Sequence, residues 1–211
     1  VYKGLYMNKV VVIKTVVLNL ETDQEIKRET RGLRIIRDSF PQLHQMQQLL
    51  FEFYYLEKGF HVFCTKYYGN VTLSQYIRHP TQHNASWTQT SRILWLLGSA
   101  LKEAKKVDII LNDWKPDNLM IVFNDDNIVS NIMIIDMGSC DIHDGVVSSN
   151  TSIKPSSTSH TSCIIPTKKI QALGTPGYIC PSRTDDSKSL SPACDVFRYF
   201  MYYHYLIIFT I

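Results

Sequence analysis

Apolar residues are packed closely over residues 1–5 and 9–20. The second stretch contains the run Val10-Val11-Val12-Ile13 and the pair Val16-Val17. β-Branched side chains at this density fit a pleated sheet, so two strands turning near Asn8 are expected, a hairpin. The period then changes. Over 23–37 the apolar positions Ile26, Leu33 and Ile36 stand among charged residues, which predicts a weakly amphipathic helix with Thr22 and Asp23 as capping candidates. Two aromatic and β-branched runs, 51–56 and 60–67, are broken at Lys58-Gly59 and read as a second hairpin.

From Leu73 the pattern becomes helical. Residues 73–77 begin a short helix, and Ile93, Leu94, Leu96, Leu97, Ala100, Leu101 and Ala104 form a stripe at helical spacing. Short apolar strands are expected at 109–111, 119–123 and 132–135. Residues 147–163 contain seven Ser and three Thr with little apolar content, and this composition predicts a mobile loop. The run 199–211 is almost wholly apolar. It falls short of the 18 or more residues that span a bilayer, so it reads as a buried core helix that the end of the sequence cuts short.

Charge changes this picture little. The 22 basic and 19 acidic residues are spread along the chain without the basic blocks of a nucleic-acid or membrane surface, so neither partner is expected. Cys64, Cys140, Cys163, Cys180 and Cys194 show no C-x-x-C spacing and no nearby histidine pair. Reduced thiols in an intracellular, cytoplasmic protein are the expectation, and the sequons at Asn70, Asn84 and Asn150 read as unused. A sequence that opens on Val1 and runs straight into a strand pattern predicts a start internal to a longer protein.

The candidate chemistry lies in Asn112-Asp113-Trp114-Lys115-Pro116-Asp117-Asn118, followed eighteen residues after Asn118 by Asp136-Met137-Gly138. Phosphoryl transfer from ATP needs a group that orients the acceptor hydroxyl, cations against the phosphate charge, and oxygen ligands for those cations. Asp113 can accept the hydroxyl proton and Lys115 can sit on the transferred phosphate. Asn118 and Asp136 offer an amide oxygen and a carboxylate, which suits a hard cation such as Mg²⁺. Taken singly, each of these residues also reads as a turn or strand-end residue.

The D-W-K-P-D-N and D-M-G segments resemble the catalytic loop and metal-binding loop of eukaryotic protein kinases. The resemblance extends outward in order. Val11-Val12-Ile13-Lys14 is similar to the strand whose lysine binds the α and β phosphates, and Glu29 to the helix glutamate that pairs with it, although Glu25 shares that helix face. Phe63-Cys64-Thr65-Lys66-Tyr67-Tyr68-Gly69 is similar to the connection between lobes. Gly174-Thr175-Pro176-Gly177-Tyr178 is similar to the close of the activation loop, and Ser191-Pro192-Ala193-Cys194-Asp195 to the start of the helix whose aspartate anchors the catalytic loop.

The resemblance implies an α+β, protein-kinase-like bilobal fold. Residues 1–66 would form a partial β-rich lobe and 67–211 a partial, mostly helical lobe. It implies ATP and Mg²⁺ as cofactors and a protein substrate with a Ser or Thr acceptor, since Lys115 and Thr175 match Ser/Thr kinases. Asp113 and Lys115 would be catalytic, and Asn118 and Asp136 would hold metal. Val1, Val12, Lys14, Glu29, Thr65, Lys66, Tyr67 and Tyr68 would line the nucleotide site, with Thr65 as gatekeeper.

Three departures qualify this. The sequence begins just after the place of the glycine-rich loop, Asn112 stands where the family has the arginine that meets a phosphorylated activation loop, and Ser182 stands for a glutamate of Cys180-Pro181-Ser182. Leu111 and Met137 remain apolar and can stack with Leu33. With the apolar run 200–209 left uncovered and the glycine-rich loop lacking, the 211 residues alone are expected to be poorly soluble and catalytically silent. A pseudokinase acting as a binding module and a small-molecule phosphotransferase are the alternatives.

Overall fold

The computed structural model describes residues 1–18, 22–69, 71–83, 85–138, 140–142, 180–181 and 192–210, and the side chains of 22–28, 141–142 and 209–210 are not described. The fold is α+β. β1 (Tyr2–Tyr6) and β2 (Lys9–Val17) make the first hairpin, α1 is Thr22–Ser39, and β3 (Leu49–Tyr55) and β4 (Phe60–Lys66) make the second. These four strands form one antiparallel sheet in the order β1-β2-β4-β3. The first turn places Met7 and Asn8 at φ 48° and 60°, the left-handed pair that a tight hairpin requires and that asparagine tolerates well. In the second, a single 3-10 turn (Leu56–Lys58) ends on Gly59 at φ 63°.

β5 (Val71–Thr72) leads into α2 (Leu73–Arg78), whose start is fixed by a capping box. The Thr72 hydroxyl accepts from the Gln75 amide at 3.2 Å, and the Gln75 side chain accepts from the Thr72 amide at 2.8 Å. α3 (Trp87–Lys106) begins at the Ser86 cap and buries Ile93, Leu94, Leu97, Ala100 and Ala104. The expected stripe is therefore the core face of this helix. β6 (Ile109–Ile110), β7 (Leu119–Phe123), β8 (Val129–Ile134) and β9 (Asp141–Ile142) follow, then α4 (Pro192–Thr210). β5-β7-β8 form one small sheet and β6-β9 another.

One continuous core joins these layers. Leu33 and Ile36 of α1, Leu49 and Phe63 of the large sheet, Leu97 of α3, Leu111, Leu119, Met137 and Tyr202 all belong to it. Truncating a fully buried leucine such as Leu33 in such a core typically costs ~2–5 kcal/mol. The segment between α1 and β3 is stitched into it through Gln47 N–H to the Ile134 carbonyl (2.9 Å) and Ile134 N–H to the Gln45 carbonyl (2.8 Å).

α4 is buried along one face and leaves apolar side chains uncovered on the other. Cys194, Asp195, Arg198, Tyr202 and Leu206 are buried, while Val196, Phe200, Tyr203, Tyr205 and Ile208 are exposed. The buried positions recur about every fourth residue because only one face meets α3 and Trp114, and an all-apolar run hides that asymmetry. Among the described residues, no helix is long and apolar enough to cross a membrane. Cys64, Cys140, Cys180 and Cys194 take part in no disulfide, and Cys163 lies outside the described residues. The Ser/Thr-rich stretch 147–163, the Gly174–Tyr178 motif and Ser182 also lie outside them.

Candidate functional site

Lys14 lies on β2 opposite Phe63 of β4, with its ammonium 5.4 Å from the Phe63 ring centre. Its Nζ donates to Glu29 Oε2 at 2.6 Å, so the helix glutamate named from sequence is the one that pairs with it. Burial pushes the Glu29 carboxyl above its ordinary value. Lys14 pulls it down by charge and hydrogen bond, and the Asp136 charge pushes it up again. That last influence puts Asp136 within electrostatic reach of the pair. A Cβ on Gly138 would lie 3.7 Å from Glu29 Cβ, and one on Gly32 would lie 3.2 Å from Met137 Cβ and from its carbonyl oxygen. The glycine at position 32 allows α1 to approach the backbone that follows Asp136, whereas a side chain at position 138 would meet α1 in ordinary contact.

β7 and β8 set the next three residues. Their register pairs Leu119 with Ile134, and the Ile135 amide donates to the Asn118 carbonyl at 2.9 Å, so Asn118 and Asp136 sit at the same end of the hairpin. Asn118 Nδ2 donates to the Asp113 carbonyl (3.1 Å) and to Asp113 Oδ2 (3.2 Å). This fixes the amide orientation and turns its oxygen, the natural ligand for a hard cation, away from Asp113. Lys115 Nζ lies 3.1 Å from Asp113 Oδ2. Asp136 has φ 66°; its Oδ1 accepts from the Gly138 amide at 3.2 Å, and Oδ2 remains for a ligand. An amide oxygen and a carboxylate are donor types that a hard cation takes. Among the described residues, no group of three or more His, Cys, Asp or Glu could hold a metal ion.

The loop carrying Asp113 is held from beneath. Asp195 of α4 is buried, and its carboxylate accepts from the amides of Leu111 (2.8 Å) and Asn112 (3.2 Å) and from Arg198 Nη1 (3.1 Å). Burial pushes the Asp195 carboxyl up, against the two amides and Arg198, which pull it down. Tyr202 donates to the Trp114 carbonyl, and its ring meets Trp114 edge-on at 5.6 Å. Asn112 is buried at φ 56°, a conformation asparagine adopts more readily than most residues. Leu33, Leu111 and Met137 are all buried in the same core, and Cys140 Sγ lies 3.2 Å from Met137 Sδ and 3.8 Å from the Leu111 carbonyl.

The residues expected around the base are less closely drawn together. Thr65 is buried, and Val12 stands opposite it in the sheet. Val1 lies one step beyond the Tyr2–Ile13 pair, level with Lys14, and is 78% exposed. The Lys66 amide donates to the Gln48 carbonyl at 3.3 Å, and the Tyr68 hydroxyl accepts from the Gln48 amide at 3.0 Å; burial pushes the Tyr68 phenol up to about 12. A cavity of about 330 Å³ touches Lys66, Tyr67 and Tyr68 together with His44, Gln48 and Met133. Lys14, Glu29, Asp113, Asn118 and Asp136 are not part of its lining.

Sequence reasoning missed Gln47. Its carboxamide accepts from the Asp136 amide at 3.1 Å and donates to the Thr65 hydroxyl at 3.0 Å. No local signal marks a glutamine whose partners lie 89 and 18 residues away. No protein-family model matches the chain, and no curated protein matches it.

Proposed function

We propose that this chain is the core of an ATP-dependent protein kinase with the bilobal kinase-like fold, acting on Ser or Thr hydroxyls of protein substrates. The observation that carries the reading is the convergence of six motif residues into two linked groups. Lys14, Glu29 and Asp136 interact across the sheet, α1 and the end of β8, while Asp113, Lys115 and Asn118 are joined by hydrogen bonds and charge at the end of β7.

In this reading the sheet with α1, residues 1–66, and the remainder from 67 form the two lobes, with ATP between them. Lys14 spends one of its three donors on Glu29 and offers the others to the α and β phosphates. Asn118 and Asp136 would hold Mg²⁺, which would supply charge neutralisation on the phosphates. Asp113 orients the acceptor hydroxyl and receives its proton as the hydroxyl oxygen bonds to the γ-phosphorus. The bond from that phosphorus to the β-γ bridging oxygen breaks, and ADP leaves with the electron pair. Lys115, 3.1 Å from Asp113, neutralises charge on the transferred group. Asp195 keeps the loop in place throughout.

The test is Mg²⁺-dependent transfer of the γ-phosphoryl group in the full-length protein, with a panel of Ser/Thr protein acceptors beside a panel of alcohol and aminoglycoside metabolites. Transfer to protein that is lost in Asp113→Asn supports the proposal. Transfer to a metabolite alone supports a small-molecule phosphotransferase, and ATP binding without transfer supports a pseudokinase.

A further inference from the structure

Asp136 holds an uncommon backbone conformation at the point where the proposed site needs its carboxylate aimed. At φ 66° an L-residue is disfavoured, and something outside the residue must hold it there. Two hydrogen bonds flank it. On one side its own Oδ1 accepts from the Gly138 amide at 3.2 Å, and on the other its amide donates to Gln47 Oε1 at 3.1 Å. The first bond moves with Asp136, whereas the second ties it to another part of the chain.

That other part is itself fixed. The Gln47 amide donates to the Ile134 carbonyl at 2.9 Å, Met46 bridges Ile134, and Gln45 Nε2 donates to the Leu96 carbonyl of α3 at 3.1 Å. The far end of the Gln47 carboxamide donates to Thr65 Oγ1 at 3.0 Å. An amide N–H can only donate, so the atom facing Asp136 is the oxygen, and the NH₂ group necessarily turns to Thr65. Both ends of the carboxamide are therefore used, and its orientation is determined.

We propose that Gln47 is a positioning residue that clamps the Asp136 main chain to the buried Thr65 hydroxyl, so that the carboxylate is presented to the cation of a Mg²⁺-nucleotide complex before that ligand arrives. The clamp joins the wall beside the base to the metal-holding group, which gives a route by which the shape of the group against Thr65 alters the Mg²⁺ requirement. The cation part of this proposal rests on the phosphotransfer reading above.

The experiment compares full-length wild type with Gln47→Met, which keeps length and removes both polar ends, and Gln47→Glu, which keeps an oxygen toward the Asp136 amide. Thr65→Val removes the far anchor and is read by Asp136 hydrogen exchange alone, because Thr65 also lines the expected nucleotide site. Two readouts are taken: hydrogen exchange of the Asp136 amide without nucleotide, and the Mg²⁺ concentration that half-saturates ATP binding. In Gln47→Met the exchange rate and the Mg²⁺ requirement should each rise about tenfold, the size expected for one lost hydrogen bond to a constrained amide. ATP affinity without Mg²⁺ should stay unchanged. Gln47→Glu should restore the slow exchange, and Thr65→Val should fall between. Equal Asp136 exchange in wild type and Gln47→Met overturns the clamp. Faster exchange with an unaltered Mg²⁺ requirement overturns its role toward the cation. Faster exchange in a protein that binds no Mg²⁺-ATP at all upholds the clamp on Asp136 and overturns the phosphotransfer reading instead.

Discussion

Helix α1 is tied to the large sheet by two ion pairs that differ in almost every respect. Near the candidate site, Glu29 accepts one hydrogen bond from Lys14 at 2.6 Å, and burial leaves its carboxyl above the ordinary value. Further along, Arg34 reaches Glu52 with both arms of its fork, Nη2 at 2.7 Å from Oε2, while His61 Nε2 lies 3.3 Å from the same oxygen. Burial pulls Glu52 up too, but Arg34 and His61 together outweigh it and hold the carboxyl below its ordinary value. Arg34 is correspondingly pushed up, chiefly by its hydrogen bond to Glu52.

The difference is one of saturation. Glu52 has its acceptor sites filled by a fork-shaped donor and a buried imidazole, an arrangement that stabilises a fixed geometry. Lys14 and Glu29 form a single contact in which the ammonium keeps donors in reserve and the carboxylate carries a desolvation cost. The first pair holds the helix against the sheet. The second leaves a cation ready for an anionic ligand, which is what a nucleotide site needs.

The largest expected effect breaks the second pair. Lys14→Met should lower Mg²⁺-dependent ATP turnover by on the order of 10²-fold or more, the scale seen when one charge-stabilising group is removed from a reacting centre. Its stability cost should be within about 1 kcal/mol, because the pair is partly exposed and Glu29 can take up a proton. Turnover and chemical denaturation measured on one preparation check both halves.

Glu52→Leu should show the reverse. It removes the acceptor for Arg34 and leaves His61 buried without that partner, which should cost about 1–3 kcal/mol of stability with turnover per folded molecule nearly kept. A loss of turnover comparable with that of Lys14→Met, at full folding, would erase the distinction between the two pairs.

A smaller effect sharpens the same contrast through pH. Glu29 is raised above 4.5, so its contribution to stability is complete below that value and is lost as pH rises through the elevated folded pKa. Glu52 is lowered from 4.5, so its contribution is present above that value and is lost as pH falls through the depressed one. Relative to wild type, Glu29→Gln should therefore gain stability as pH rises from 4.5, and Glu52→Gln should lose its deficit as pH falls below 4.5. Denaturant midpoints across this range, read for slopes of opposite sign, provide the check. Slopes of the same sign would contradict the assignment.

The candidate site residues were legible through their joint order along the chain, which resembles that of a protein kinase. Lys14 lies within a run of β-branched residues, and Asp113, Lys115 and Asn118 surround a proline turn, so each alone reads as a structural position. The anchoring network was not legible. Arg34 and His61 both reach Glu52, and that meeting depends on the packing of α1 and on the register that sets Glu52 opposite Phe63 of β4. Gln47 escaped for the same reason, because its partners are distant and its own segment has no period. β5 and β9, two residues each, are too short to leave an alternation, and Trp87-Thr88-Gln89-Thr90 begins α3 without an apolar stripe.

The central proposal is that Asp136, whose charge acts on Glu29, is a ligand of the metal in phosphoryl transfer. Its most direct test is isothermal titration of the full-length protein with ATP, with and without Mg²⁺, for wild type and Asp136→Asn at matched thermal stability. The account predicts that Mg²⁺ tightens ATP binding in the wild type, and that Asp136→Asn loses this gain while its Mg²⁺-free affinity and its melting temperature are kept. An equal Mg²⁺-dependent gain in both proteins, or none in the wild type, would contradict it.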